Sequence, residues 1–313
     1  MQYKQLWSIL AFLVILGSCT TVPSTPTPTS APTVVSATTR TLVLGDIGDD
    51  PAERIKEFQP LADYLSLNLV EFGIAEVGIK IAPDFDTMIA WMRSGQVDLY
   101  FDSPYPTYIL AKQSGARPIL RRWRNGVGEY HTVIFSLKAG GPATLDALRG
   151  KLVAYDAPFS TSGFFLPTAY LINKGLTPVE KLNDQAAIAP DEVGYVFTFD
   201  DDNIIQWVIS GKAAAGAVNS VNFAEMPEET KAAVQILAET ESVPRHIVLA
   251  RAGIADDLIA AIKALLIKLN GTDEGKEILK QFQKTNKFDE FPDGAEATFA
   301  RMEALDFIIT KRR

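Results

Sequence analysis

One cysteine, Cys19, and two histidines, His131 and His246, occur in the 313 residues. A single thiol rules out an internal disulfide, and no His/Cys/Glu cluster has the spacing of a zinc site. There is no G-x-S-x-G elbow, no Walker A sequence and no dinucleotide-binding glycine pattern. The acid runs DIGDD and FDDD lack the twelve-residue layout of an EF-hand. Both histidines open strand-like runs, EYHTVIF and VPRHIVL, where a hydrogen-bonded structural role is the ordinary one. We therefore expect no catalysis and no required cofactor or metal. Positive charge is also short: 30 Lys and Arg stand against 38 Asp and Glu, a formal net charge of −8. A chain this acidic is a poor nucleic-acid binder, so no nucleic-acid partner is expected. No tandem repeat is visible, which argues against a solenoid.

What is present begins with an export signal. MQYKQLWSILAFLVILGSC has a short basic n-region, an apolar core from about Leu6 to Leu16, and small residues before Cys19. The run is shorter than the roughly 20 residues of a spanning helix. Leu16-Gly17-Ser18-Cys19 resembles the lipobox of bacterial lipoproteins, so residues 1–18 read as a signal peptide and Cys19 as the lipidated first residue. Residues 19–40 are rich in Thr, Pro and Ser and nearly uncharged, a composition that buries no core and serves as a tether. At about 3 Å per residue it would hold a folded body some tens of ångströms from a membrane on the extracytoplasmic face. The anchor is then the only membrane contact expected.

The body from Thr41 to Arg313 is long enough for two modest domains. TLVLGDI, VDLYFDS, HTVIFSL, KLVAYDA, AAAGAVNS and HIVLARA read as strands. RIKEFQPLADYLSLNLV, FDTMIAWMRSG, LPTAYLINKG, DNIIQWVISGK and DLIAAIKALLIKLN read as helices. The alternation predicts an α/β fold with mostly parallel sheets. Gly95, Gly175 and Gly211 follow three of those helices as C-terminal stops.

In open α/β sheets, ligands settle beyond the carboxyl ends of the strands. That rule nominates Asp46–Pro51, Asp102–Tyr108, Asp156–Gly163, Asp200–Asn203 and Asn219–Phe223. The third contains Ser160-Thr161-Ser162-Gly163 directly before an apolar helical run. Those hydroxyls either cap a helix or, with the free N–H groups of its first turn, cradle an anion.

PAERIKEFQPLADYLS, MIAWMRSGQVDLYFDSPYPTYILAKQSGARPI, EYHTVIFSLKAG, LRGKLVAYDAPFSTSGFFLPTAYLINKGL, SGKAAAGAVNS and VPRHIVLARAGIADDLIAAIKALL follow one another over about Leu42 to Lys287. In this order and spacing the chain resembles the phosphate/phosphite/phosphonate substrate-binding proteins of ABC importers, a type 2 periplasmic-binding-protein family. The resemblance implies two α/β lobes, about 41–130 with 245–313 and 131–244, joined by two crossing strands and closing on a small ligand in the cleft. It also implies an ABC permease and its ATPase as partners. The segment matching Ser160, Thr161 and Ser162 would take the oxygens of the anion through hydroxyls and N–H groups.

Other positions depart from the family. Phe85 stands where an aromatic residue, often Tyr, is common, and Ser103 replaces the glycine of a Gly-Pro pair. Ser103, Tyr105 or Tyr108 is within reach of the ligand on this reading, with core packing the alternative for Phe85 and Tyr108 at their helix openings, and Tyr130 or His131 faces the cleft near the crossing. Where phosphonate and phosphite binders often carry a histidine, this chain has Asp200, Asp201 and Asp202. Either these acids form a solvated turn and helix cap, or Asp200 or Asp201 meets a cationic group such as the amine of an aminoalkylphosphonate. Asn219 replaces a common Asp. The expectation is a lipid-anchored importer subunit. A ligand-sensing input to a sensor kinase, another small ligand on the same fold, and an enzyme on that fold are the competing readings.

Overall fold

The computed structural model describes residues 40–311. The signal segment, Cys19 and the tether up to residue 39 lie outside the described residues. Arg40, which composition assigned to the tether, already opens the first strand, its N–H donating to the Gly73 carbonyl at 3.0 Å.

The chain runs through β1 (Arg40–Ile47), α1 (Pro51–Asn68), β2 (Ile74–Ala82), α2 (Phe85–Ser94), β3 (Leu99–Asp102), α3 (Pro104–Ser114) and β4 (Arg117–Arg124). It crosses by the short β5 (Glu129–Tyr130) into β6 (Thr132–Leu137), β7 (Lys151–Tyr155), α4 (Leu166–Asn173), β8 (Thr177–Glu180) and β9 (Glu192–Phe197). Then come α5 (Asp201–Ile209), β10 (Ala215–Asn219), α6 (Ser220–Glu225), α7 (Glu228–Ala233) and β11 (Val234–Glu239). It returns by β12 (Val243–Pro244) to β13 (His246–Ala250), α8 (Asp256–Lys268), α9 (Asp273–Gln281), β14 (Thr285–Asp289) and α10 (Ala295–Thr310).

Two six-stranded sheets result, ordered β14-β4-β13-β3-β1-β2 and β11-β6-β10-β7-β9-β8. β5 and β12 pair antiparallel, Tyr130 opposite Val243, so the two crossings form one ribbon between the sheets. The sheets are mixed, where the alternation alone predicted mostly parallel pairing. The β1/β2 and β1/β3 pairs are parallel, whereas β13, arriving from the second lobe, runs antiparallel to both β3 and β4. A strand that re-enters from the far lobe has no βαβ crossover to enforce parallel direction.

Alternation places successive side chains on opposite faces. In β3, Leu99 and Phe101 join the core with Leu42, Phe58 and Phe282, while Tyr100 joins Met88, Ile89 and Leu249 on the other side. In β7, Val153 and Tyr155 pack with Phe164 and Tyr195, while Ala154 meets Phe135, Ile204 and Val208. A further cluster brings Met302 and Ile309 of α10 against Tyr108, Tyr130, Phe165 and Leu166. Helix α10 thus packs on α3 and α4 alike. Local signals set the helix ends that border the cleft: Asp84 accepts from the Thr87 N–H at 2.7 Å before α2, and Gly95 at φ 76° stops that helix.

Candidate functional site

Loops at the carboxyl ends of strands from both sheets enclose a cavity of about 630 Å³. Its best-defined wall follows β7. Ser160 adopts extended backbone geometry and its Oγ accepts the Gly163 N–H at 3.0 Å, an ordinary cap. Residues Thr161–Phe165 then form a π turn that runs into α4. The first turn of such a helix presents N–H groups without intrahelical acceptors and a partial positive charge. Gly163 is required for the close packing: a Cβ there would lie 2.4 Å from the Asp156 Cβ and 2.9 Å from the Ser160 Oγ.

The opposite wall comes from the first sheet. Thr161 Oγ1 donates to Ser103 Oγ at 2.9 Å and accepts the Tyr105 N–H at 2.9 Å, so the turn after β7 is hydrogen-bonded to the turn after β3. Phe85 stacks on Phe159 with ring centroids 4.3 Å apart, another contact across the cavity. Asp102, half-buried, also lines the cavity. It accepts from the Tyr100 hydroxyl at 2.5 Å and the Ser103 N–H at 2.6 Å, and burial holds its carboxyl above the usual range.

The acids after Phe199 divide their work. Asp200 is the cap of α5, accepting from Asp202 N–H at 2.7 Å and Asn203 N–H at 3.3 Å, and Asp202 is exposed. Asp201 turns into the cavity, where its Oδ2 accepts from the Asn219 amide at 3.0 Å and from Asn222. Burial, then the nearby Asp156 carboxylate, push its pKa up to about 6. Asp156 is itself raised by burial. Cations line the same cavity: Arg124 at the end of β4, and Arg245 just before β13 with its guanidinium 4.5 Å from the Tyr130 ring. His246 beside them is pushed well below its ordinary pKa by burial and then by Arg245, Arg122 and Arg124, so it is neutral, and its Nδ1 has no hydrogen-bond partner.

Of the candidates read from sequence, Ser160, Thr161, Ser162, Phe85, Ser103, Tyr130, Asp201 and Asn219 all border this cavity. Tyr105 and His131 do not. The Tyr105 ring stacks on Phe165 at 4.0 Å, and His131 Nε2 lies 3.7 Å from Glu239 Oε1, away from the lining. His246, grouped with His131 as structural, is a lining residue. Arg124, Arg245 and Phe159 were not singled out. For Arg245 the available signal was its place beside His246 at the strand crossing.

A family model described as "ABC transporter, phosphonate, periplasmic substrate-binding protein" matches residues 48–293. The chain belongs to this phosphonate-transporter substrate-binding family. Its two-sheet α/β architecture is the two-lobed type 2 periplasmic-binding-protein fold of that family. Among curated relatives, the phosphate-import protein PhnD of Mycolicibacterium smegmatis is 28% identical over 172 residues, 53% of this chain and 52% of the relative. The chain thus spans about half the length of that curated relative. Among solved structures, XAC2383 of Xanthomonas citri bound to chloride superposes with a TM-score of 0.80 at 27% identity, covering 87% of this chain and 99% of that one. The same protein bound to ATP gives 0.79 at 25% identity over 86% and 98%. PhnD1 of Prochlorococcus marinus with methylphosphonate shares the fold, with a TM-score of 0.62 at 18% identity over 87% and 98%. Among the described residues no helix is long and apolar enough to cross a membrane.

Proposed function

We propose that this chain is the lipid-anchored, extracytoplasmic capture subunit of an ABC importer, closing two lobes on a small oxyanion of the phosphonate, phosphite or phosphate type. The lobes are about 41–130 with 245–313, and 131–244. The observation that carries the reading is Ser160-Thr161-Ser162 at the start of the π turn, on the wall of a cavity between the two sheets. Hydroxyls and first-turn N–H groups offer an oxyanion a set of neutral donors at this wall. Closure is consistent with the Thr161–Ser103 hydrogen bond and the Phe85–Phe159 stack, which join the two walls. Cys19 supplies the anchor, and a permease with its ATPase receives the ligand. The family membership and the phosphate-import role of the Mycolicibacterium smegmatis relative support the transport role.

Calorimetric titration with phosphite, phosphate and methylphosphonate tests the site. At least one of them should bind, and Ser160→Ala with Thr161→Val should weaken that ligand at least about tenfold, since each charge-assisted hydrogen bond contributes roughly 1.5–3 kcal/mol. Unchanged affinity in the double variant contradicts the cradle. A second reading, a larger phosphate-bearing ligand, is favoured by the ATP bound to the Xanthomonas citri protein and by the Phe85–Phe159 pair at this cavity. Tighter binding of ATP than of any small oxyanion would select it.

A further inference from the structure

Two guanidinium groups in the cavity, Arg245 buried and Arg124 half-buried, have no carboxylate in contact with them. Arg245 is 8% exposed, and its Nε has no hydrogen-bond partner. It rests on the face of the Tyr130 ring. Arg124 donates its Nε–H to the Gln283 carbonyl at 3.2 Å. Neither makes a salt bridge to a carboxylate among the described residues, although Arg117, Arg121, Arg251 and Arg301 all do. The two groups also repel each other: burial and then the Arg245 charge lower the pKa of Arg124. An arginine does not escape burial by losing its proton, so the unmet donor of Arg245 calls for an acceptor in the cleft, and an anionic one is favoured most.

The carboxylates of the cavity act on the two arginines only through space, Asp102 on Arg124 and Asp201 with Arg245, and their hydrogen bonds go elsewhere. Asp102 is held by Tyr100 and Ser103, and Asp201 by Asn219 and Asn222. Tyr130 lies between Arg245 and the cradle, with its ring face toward Arg245 and its hydroxyl against Thr161 and Ser162. A cavity of about 630 Å³ lies within the range that encloses drug-sized molecules, more than one phosphonyl group fills.

We propose that Arg124 and Arg245 form a second anion-binding pole, and that the ligand carries a second acid group, a carboxylate or a further phosphoryl group, besides the one held at Ser160–Ser162. This rests on the reading of the cleft as a phosphonate-type site. Planar guanidinium donors suit a carboxylate or phosphoryl oxygen pair, and the binding energy is largest where water is excluded.

The test is calorimetry on the full chain with 3-phosphonopropionate and propylphosphonate, which differ in whether the tail ends in a carboxylate or a methyl group. The two-acid ligand should bind at least about tenfold more tightly, as expected for one charge-assisted contact. Arg245→Gln, and separately Arg124→Gln, should bring that ratio below about threefold. A general loss of packing would weaken both ligands and leave the ratio intact. Equal affinities in the unaltered protein, or a ratio that survives both substitutions, overturn the second pole and leave the cradle standing. No binding of either ligand overturns the second pole, and the titrations with phosphite, phosphate and methylphosphonate then decide the proposed function separately. If a variant does not fold, the ratio in the unaltered protein decides alone.

Discussion

Arg122 and Arg245 are both buried and lie close together, Arg122 being paired in register with His246, the residue after Arg245. Their surroundings are opposite. Arg122 donates from Nε to Thr285 Oγ1 at 2.7 Å, from its terminal nitrogens to Gln283 Oε1 at 3.1 and 3.2 Å, and to the Phe282 carbonyl at 3.2 Å. Gln283 in turn donates to Asp46 at 3.0 Å, so the fold closes that network on itself. Arg245 has a ring beneath it and an unpartnered Nε at the cavity. A buried charge satisfied by its own chain serves the fold, whereas one left for the cleft serves whatever enters the cleft.

The largest expected effect follows from the satisfied member. Arg122→Met should lose about 3 kcal/mol or more in urea unfolding, because Thr285, Gln283 and the Phe282 carbonyl lose their donor. Arg245→Gln should lose less than about 1 kcal/mol. Equal losses would break the comparison.

The acids sharpen it next. Asp201 has a folded pKa of about 6 against an ordinary value of about 3.9. The unfolded chain therefore releases this proton first. The stability tied to the protonated form is complete below about 3.9 and is lost as pH rises through about 6. In ligand-free protein, Asp201→Asn should thus match the unaltered chain near pH 4 and exceed it near pH 7.5 by roughly 1–3 kcal/mol. Thermal unfolding across that range reads the difference, and a variant less stable at pH 7.5 contradicts it.

Gly163→Ala tests the packing of the cradle. Its Cβ would press on Asp156 and Ser160, so a loss of about 1–3 kcal/mol is expected together with weaker anion binding. Full retention of both would show that the turn can shift. The smallest effect is expected at His131, which lies outside the lining. His131→Gln should change stability by no more than about 0.5 kcal/mol in urea unfolding and leave ligand affinity within twofold, because a partly exposed pair such as His131–Glu239 contributes little.

Much of the fold was legible where burial writes a local pattern. The runs assigned as strands contain β3, β6, β7, β10, β13 and all of β1 but Arg40, and those assigned as helices contain most of α1, α2, α4, α5 and α8. β4 was missed because RPILRRWR carries four arginines. Its Arg121 is neutralised by Glu129 and by Asp289 of β14, far away in the chain, and its Arg122 is hydrogen-bonded by Thr285 of β14 and by Phe282 and Gln283 just before it. No local rule shows such pairing. Sheet direction failed for the same reason, since β13 takes its place only after the chain has built the second lobe. In the site, Ser160–Ser162 stood out because hydroxyls before a helix have a local meaning. Arg124 and Arg245 did not, because an arginine's lack of a partner is a property of the folded cleft.

The most direct test of the central claim is a thermal-shift comparison of the full chain with phosphate, phosphite, methylphosphonate, 3-phosphonopropionate, sulfate and simple carboxylates. A ligand at about 100 times its Kd adds roughly 2.7 kcal/mol, a shift of several degrees for a body of this size. The account predicts such a shift with at least one phosphorus oxyanion. Silence with every phosphorus ligand, alongside a shift with a ligand of another class, would contradict it.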